Sequence, residues 1–475
     1  MAAGGDQSHL KKYEIDMVHG ALLPKILLFA IPLLLSSMLQ LFFNAADIVV
    51  VGRFSANGSH CVAAVGSTGS IINLIVALFI GLSVGVNVLA ARYFASGEKR
   101  NLSQTVHTSV CLSIVGGIAV GIFGFVMAGR LLTAMGSPPE VLGLATLYMQ
   151  IYFLGAPVLF LYNLGSAILR AVGDTRRPMF YLIISGVINV ILNLIFVIVL
   201  HMEVAGVATA TVISEAVSAF LILRCLMRTD SAYKLTLSKI AIDRHKLALI
   251  LQIGVPAGVQ SMIFSFSNVL IQSSVNSFGA VAMAGNAAAA NLEGFVYMAM
   301  NSIYQASVSF TGQNYGAGDI KRVNRCLFVN LATVTVIGLS MGNLFYLFGR
   351  QLLGLYTDDP GAIDYGLKRM AVICVMYCLC GIMDTICGSI RGLGHSVTPM
   401  IVSLIGACGF RIVWIYTYFR VHHDLTVLYL SYPISWALTG FAHFICFLVI
   451  RRKIVAALAQ AGRQTAGAQS AGGAS

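Results

Sequence analysis

Asp47 is the residue whose type and place demand explanation. It lies in FFNAADIVVVGRF, near the end of an apolar run from Ile26 to Val51. A bare charge in a bilayer helix costs at least ~2.5–3.5 kcal/mol, so such residues face a cavity or a partner and have a job. Asn189 and Asn193 in NVILNLIF, and Thr211 in AGVATATVIS, add two amides and a hydroxyl. At ~1.5 Å of helical rise per residue, Asp47, Asn193 and Thr211 all fall ~9–10 Å below one membrane face, with Asn189 a turn deeper. Hard oxygen donors at one depth suit a proton or Na⁺. The competing reading is hydrogen-bonding glue between helices, which amides and hydroxyls also supply. Ser36, Gln40, Asn44 and Asp47 are spaced as one helical stripe. Pro32 precedes Asp47 in the same run and removes one backbone bond, so the helix is expected to bend there.

Other polar residues sit inside apolar stretches. A stripe of Ser261, Ser265, Asn268 and Gln272 matches the first one but lacks a carboxylate. Charge appears instead at Glu293, Asp384 and Arg411, and depth arithmetic makes an Asp384–Arg411 ion pair plausible through a snorkelling Arg. Glu215 is expected to face a cavity. These eight residues (Gln40, Asn44, Glu215, Asn268, Gln272, Glu293, Asp384, Arg411) are candidates for substrate contact or coupling. No catalytic or metal site is expected. His107 and His443 stand in no recognisable motif, and Cys374, Cys378 and Cys380 read as small core residues.

The elements that position them must be membrane helices. The chain has 475 residues, 58% hydrophobic and 10% charged, with mean hydropathy +0.85. Apolar runs of twenty or more residues recur, which excludes a β-barrel with its short alternating signal. Twelve spans are expected. Residues 1–21 form a cytoplasmic tail, in which the polar start makes the first apolar segment a signal anchor. Residues 22–228 form an N-lobe of six helices, 229–246 a cytoplasmic linker, and 247–453 a C-lobe of six more. The Ala/Gly/Gln/Ser-rich tail 454–475 is expected to be disordered. A net charge of +12 does not indicate nucleic acid, because the basic residues are scattered between spans as topology requires. Twenty-three of the 30 Lys and Arg residues fall on one side, and six on the other, Lys368 and Arg369 among them. That bias puts both termini in the cytoplasm.

The sequence also repeats itself. RAVGDTRRPM from Arg170 and RGLGHSVTPM from Arg391 share Arg, Gly, Pro and Met at identical spacing, and Pro32, Asn44 and Lys99-Arg100 find partners at Pro256, Asn268 and Lys321-Arg322. An offset this constant means two related halves. Six spans per half makes the lobes parallel, related by a pseudo-two-fold axis along the membrane normal.

Together these features resemble the multidrug and toxic compound extrusion (MATE) family. The resemblance runs from about residue 20 to 455. It is carried by the Pro32–Asp47 helix, SAILRAVGDTRRPM, GSIRGLGHSVTPM, NVILNLIF and AGVATATVIS. It implies an all-α, twelve-helix integral membrane fold of two six-helix lobes. It also implies antiport of amphipathic, often cationic compounds against H⁺ or Na⁺ across the bacterial inner membrane, by a monomer without cofactors or nucleic-acid partners. Asp47 matches the family's first-helix Asp, Pro32 its bending Pro, and Asn189, Asn193 and Thr211 positions that complete a cation site in some members. The family often has Asp where Asn193 stands, and some members carry Glu on helix seven near the apolar Phe264. The reduced charge favours H⁺ over Na⁺. The alternative within the superfamily is a lipid-linked oligosaccharide flippase, which expects a strongly cationic central cavity.

Overall fold

Long apolar runs force the chain into helices, because a backbone in lipid must satisfy its own hydrogen bonds. The computed structural model describes residues 13–55 and 58–472, with side chains through 460. Twelve spanning elements follow in order. The N-lobe comprises α1 (Leu22–Phe54), α2 (Gly58–Ala95), α3 (Lys99–Ala134), α4 (Pro139–Leu154 and Ala156–Ala171), α5 (Arg176–Val199) and α6 (Glu203–Arg228). The C-lobe comprises α7 (Arg244–Asn276), α8 (Ala280–Gly316), α9 (Ile320–Leu347), α10 (Pro360–Ile373 and Cys378–Gly392), α11 (Val397–Phe419) and α12 (Leu425–Gly472). Both two-piece helices break by similar angles, 49° in α4 and 48° in α10.

Eleven of these elements are apolar enough to cross a bilayer on composition. The twelfth, α8, is long but carries Ser302, Ser307, Ser309, Thr311, Gln313 and Asn314, all buried. Its polar groups are used between helices. Ser307 donates to the Thr385 carbonyl at 2.9 Å, Ser309 to Asn87 Oδ1 at 3.1 Å and Gln313 to the Ala171 carbonyl at 2.7 Å. Satisfied in this way, such groups are tolerated in the interior.

The repeat is visible atom by atom. Gly173 and Gly394 both adopt φ +91°, which favours glycine. Each ends its helix with the same pair of bonds. Gly173 and Asp174 donate to the carbonyls of Arg170 (3.0 Å) and Leu169 (2.8 Å), and Gly394 and His395 to those of Arg391 (2.7 Å) and Ile390 (3.2 Å). The lobes meet as a two-fold requires: α1 packs on α8, α2 on α7, and α2 on α8 across the axis. Along α2 and α7 the backbones touch. A Cβ on Gly81 would lie 2.3 Å from the Gly258 nitrogen, and one on Gly85 2.4 Å from the Ile250 carbonyl oxygen.

The Lys/Arg-rich end of the bundle is closed by a strap, residues 14–20, that ties both lobes. Ile15 runs against Gly173 of the N-lobe, where a Cβ would come within 2.6 Å of the Ile15 carbonyl oxygen. Tyr233 donates to Glu14 at 2.6 Å. On the C-lobe side Met17 is fully buried, and its carbonyl accepts from Asn314 at 3.1 Å. Arg322 donates to the His19 and Gly20 carbonyls, both at 2.8 Å. Despite burial, which pushes it up, the amides of His19 and Val18 and the nearby Lys25 hold the Asp16 carboxyl below its usual range. The linker after α6 is also anchored, with the Thr236 amide donating to His107 Nε2 at 3.1 Å and Lys246 to the Tyr93 hydroxyl at 3.1 Å.

Two expectations are corrected. The tail after Lys453 is not disordered through its described part, since α12 continues to Gly472. Its Ala and Gln residues are strong helix formers, and the helix is already nucleated by the span before it. Residues 473–475 of that tail, and 1–12 of the N-terminal tail, lie outside the described residues. Arg369 does not belong with the basic residues of the far face, being only 7% exposed.

Candidate functional site

The N-lobe site is built where α1, α5 and α6 meet. Gly186 on α5 lets the Phe43 ring lie directly on the backbone, since a Cβ there would overlap a ring carbon at 1.8 Å. One turn beyond Phe43 on α1, and two beyond Gly186 on α5, Asp47 reaches Asn193. Asn193 Nδ2 donates to Asp47 Oδ1 at 2.5 Å and to Asn189 Oδ1 at 3.2 Å. Thr211 Oγ1 stands 3.5 Å from Asp47 Oδ2, and accepts from Asn189 Nδ2 at 3.4 Å. The structure therefore gathers Asp47, Asn189, Asn193 and Thr211 into one cluster. Asp47 is 8% exposed. Among the described residues no Lys or Arg lies within ion-pair distance of it.

Counting donors in this cluster exposes a deficit. Both Asn193 amide protons are spent. The single Thr211 proton has a nearer acceptor in the Val207 carbonyl at 3.0 Å. That leaves Asp47 Oδ2 short of a donor, and Asn193 Oδ1 is buried without a hydrogen-bond partner among the described residues. The cluster has more oxygen acceptors than protons to fill them. It can take up one proton or a small cation, and either would cancel the buried charge.

The rest of the α1 stripe divides. Ser36 donates back to the Pro32 carbonyl at 2.7 Å, and α1 runs through Pro32 as one helix. Gln40 and Asn44 line a central cavity of about 430 Å³ between the lobes, together with Gln260, Tyr297, Asn301 and Asp384. Asp47 does not line it. Glu215 lies within electrostatic reach of Tyr152 and Tyr162 on α4, with Oε2 buried and unpartnered.

The C-lobe contains a second cavity of about 540 Å³, which shares Ser261, Phe264, Tyr297 and Asp384 with the central one. Asn268 and Gln272 line it. Glu293 also lines it, but its charge is already matched. Arg369 grips both carboxylate oxygens at 2.8 and 2.7 Å and donates to Asn286 at 2.9 Å. Asn286 in turn donates to Gln272 at 2.8 Å and accepts from Tyr429 at 3.0 Å.

The expected Asp384–Arg411 ion pair does not form. Arg411 turns instead toward α12, donating to Ser435 at 3.0 Å and lying 4.2 Å over the Tyr432 ring. Asp384 shares its helix with Arg391, two turns on, and Arg391 is itself bound to Tyr304 (2.5 Å) and Gln260 (2.8 Å). Similar depth does not set direction around a helix, and that direction decides the pairing. Sequence reasoning missed Arg369, Asn286, Gln260 and Arg391 as members of these networks. The Arg that opens each repeat motif was the available signal for Arg391.

The MatE family profile matches this chain twice, over residues 32–195 and 256–417, more than half its length. The chain belongs to the MatE family. It is accordingly a multi-pass membrane transporter of the MATE type, and one matched stretch falls in each half of the chain. One MATE relative, the probable multidrug resistance protein YpnP of Bacillus subtilis, is 27% identical over 394 residues, covering 82% of this chain and 87% of YpnP. Among solved structures, a MATE transporter in the bent conformation matches with TM-score 0.83 and 23% identity, over 93% of this chain and 97% of that one. The same comparison with MATE in the straight conformation gives TM-score 0.83 and 24% identity, over 94% of this chain and 99% of that one. These two likenesses establish the twelve-helix, two-lobed MATE fold.

Proposed function

We propose that the chain is a proton-coupled antiporter that exports amphipathic cations, with Asp47 as the coupling group. The observation that carries this reading is the buried Asp47 carboxylate, held by Asn193 with Thr211 beside it and, among the described residues, with no positive side chain within ion-pair distance. With Asp47 ionised, the N-lobe attracts a cationic substrate with an apolar body. A proton arriving from outside neutralises the carboxylate, fills the missing donor at Oδ2, and removes that attraction. The neutral α1 then bends at Pro32, where a backbone bond is already absent, and presses on the cavity. By linkage, the substrate weakens proton binding as much as the proton weakens substrate binding. Gln40 and Asn44 contact substrate in the central cavity. The protein works as a monomer in the bacterial inner membrane, with both termini cytoplasmic, so the strapped end faces the cytoplasm.

One observation favours Na⁺ as a second reading. Asn193 Oδ1 is a buried oxygen without a partner, and with Asp47, Asn189 and Thr211 it would give Na⁺ a set of oxygen ligands. Fluorescent-cation efflux from proteoliposomes under an imposed pH gradient, and separately a Na⁺ gradient, distinguishes the two. The expected result is transport driven by the pH gradient alone and abolished in Asp47→Asn. Transport driven by Na⁺ alone would make the amide oxygens part of a sodium site. Unchanged transport in Asp47→Asn would remove Asp47 from the coupling role.

A further inference from the structure

The equivalent sites of the two lobes carry charges of opposite sign, placed at different positions. VISEAVSAF in α6 aligns with PISWALTGF in α12, which places Thr211 opposite Tyr432, Ser214 opposite Ser435, and Glu215 opposite Trp436. Pro32 and Pro256 fix α1 against α7, so Asp47 corresponds to Ile271. In α11 a π-helical stretch, Leu404–Gly409, precedes Arg411. A π turn inserts one residue, and with that insertion Arg411 takes the place of Asn189. The C-lobe thus replaces Asp47 by an apolar side chain and Glu215 by an aromatic one, and puts a fixed cation where the N-lobe has an amide.

Arg411 is only 2% exposed, and it lines the C-lobe cavity. Among the described residues its one hydrogen bond is from Nε to Ser435, and no carboxylate lies within ion-pair distance. Its remaining support is the faces of Tyr432 at 4.2 Å and Trp436 at 5.9 Å. A buried guanidinium needs a counter-charge, and the charges sharing its cavity do not supply one. Glu293 is held by Arg369, and Asp384, on the same wall of α10 as Arg391, makes no ion pair with Arg411 among the described residues. The side chains around the cavity include Phe264, Tyr377 and Trp436, which offer flat apolar surface. Guanidinium and carboxylate match in bidentate geometry.

We infer that the C-lobe cavity is an anion subsite, in which Arg411 receives the carboxylate of an amphipathic aromatic acid while Tyr377 and Trp436 pack its ring. It rests on the reading of the chain as a small-molecule transporter, and it widens the cargo from cations to organic anions handled in the other lobe.

The chain has two tryptophans, Trp414 and Trp436, so Trp414→Phe leaves one reporter in the cavity wall. The experiment titrates this purified variant in detergent with 4-nitrobenzoate, and separately with uncharged 4-nitrobenzamide, and follows quenching of Trp436. Saturable quenching is expected with the carboxylate at affinity at least about tenfold above the carboxamide, the worth of one charge-assisted contact. Adding Arg411→Gln should remove that preference, and Arg411→Lys should keep part of it. Equal affinities for acid and amide in the Arg411 protein overturn the inference, and this comparison needs no further variant to fold. An acid preference that survives Arg411→Gln also overturns it, as does complete displacement of the probe by physiological chloride, which would mark an inorganic-anion site. Because binding is read without any gradient, failure here leaves the Asp47 coupling test untouched, and failure of that test leaves this one standing.

Discussion

Asp47 and Glu293 are both buried carboxylates in membrane helices, yet their neighbours give them different work. Asp47 has a donor in Asn193 but, among the described residues, no cation within ion-pair distance, which is what the proposed coupling role requires. Glu293 is clamped on both oxygens by Arg369, so its charge is spent on structure. Removing one partner of such a pair leaves an uncompensated buried charge, at a cost of about 3–5 kcal/mol, whereas removing both is often close to neutral. Arg369→Met should therefore lower the melting temperature in detergent steeply, and Glu293→Gln combined with Arg369→Met should melt closer to wild type. A double variant less stable than Arg369→Met would show that the pair is not the unit. The N-lobe cluster was legible in the sequence because the cost of a bare charge singles out Asp47, and helical rise sets the depth of its partners. Arg369 was not, because it stands beside the exposed Lys368 near the start of a span, and only Glu293 on another helix explains its burial.

At the scale of elements, the repeat offers a matched pair of substitutions. Gly173 and Gly394 have the same φ of +91° and the same capping bonds. They differ in surroundings: nothing lies near the Cβ position of Gly394, whereas Ile15 of the strap lies 2.6 Å from that of Gly173. Gly394→Ala should cost only the backbone strain, about 1–3 kcal/mol. Gly173→Ala should cost more and also loosen the strap, visible as faster proteolysis between Tyr13 and Gly20. Equal melting temperatures for the two variants would mean that the strap contributes no packing at Gly173. A second test concerns the seat of α1. Gly186→Ala drives a methyl into the Phe43 ring, so it should lower efflux by displacing Asp47 from Asn193, and adding Phe43→Ala should recover part of the loss. The twelve helices and the Gly-Pro punctuation of both repeats were readable from hydropathy and turn chemistry. The run of α12 through the tail was missed because Ala, Gly and Gln composition alone does not reveal that a helix is already under way.

For the whole molecule, the closed end follows from the lobes sharing one strap. Asn314 and Arg322 of the C-lobe hold the backbone at Met17–Gly20, while Gly173 and Tyr233 hold Ile15 and Glu14 on the N-lobe side. Opening this end requires at least one set of contacts to break. Arg322→Gln removes donors to three carbonyls, those of Met17, His19 and Gly20, so a cysteine placed at Met17, in a protein whose native cysteines are replaced, should react with a maleimide several-fold faster than in the Arg322 background. An unchanged rate would mean that Met17 is buried by packing alone. The seam between α2 and α7, with glycines on both sides, lets the lobes close on each other with little side-chain material between them, and the central cavity reaches it at Gly81 and Ala257.

By itself the sequence determined the number and class of the elements, their pairing into two halves, and the buried carboxylate of the first lobe. Each of these follows from local quantities: hydropathy over a helix length, turn residues at a fixed spacing, and the cost of one charge in lipid. Tertiary structure decided what lies around each helix. Rotation about a helix axis is set by packing, and a rise of ~1.5 Å per residue fixes depth only. That rotation joins Glu293 to Arg369, separates Asp384 from Arg411, turns Gln40 and Asn44 to the central cavity while Asp47 faces Asn193, and leaves the C-lobe with a guanidinium that, among the described residues, has no carboxylate within ion-pair distance.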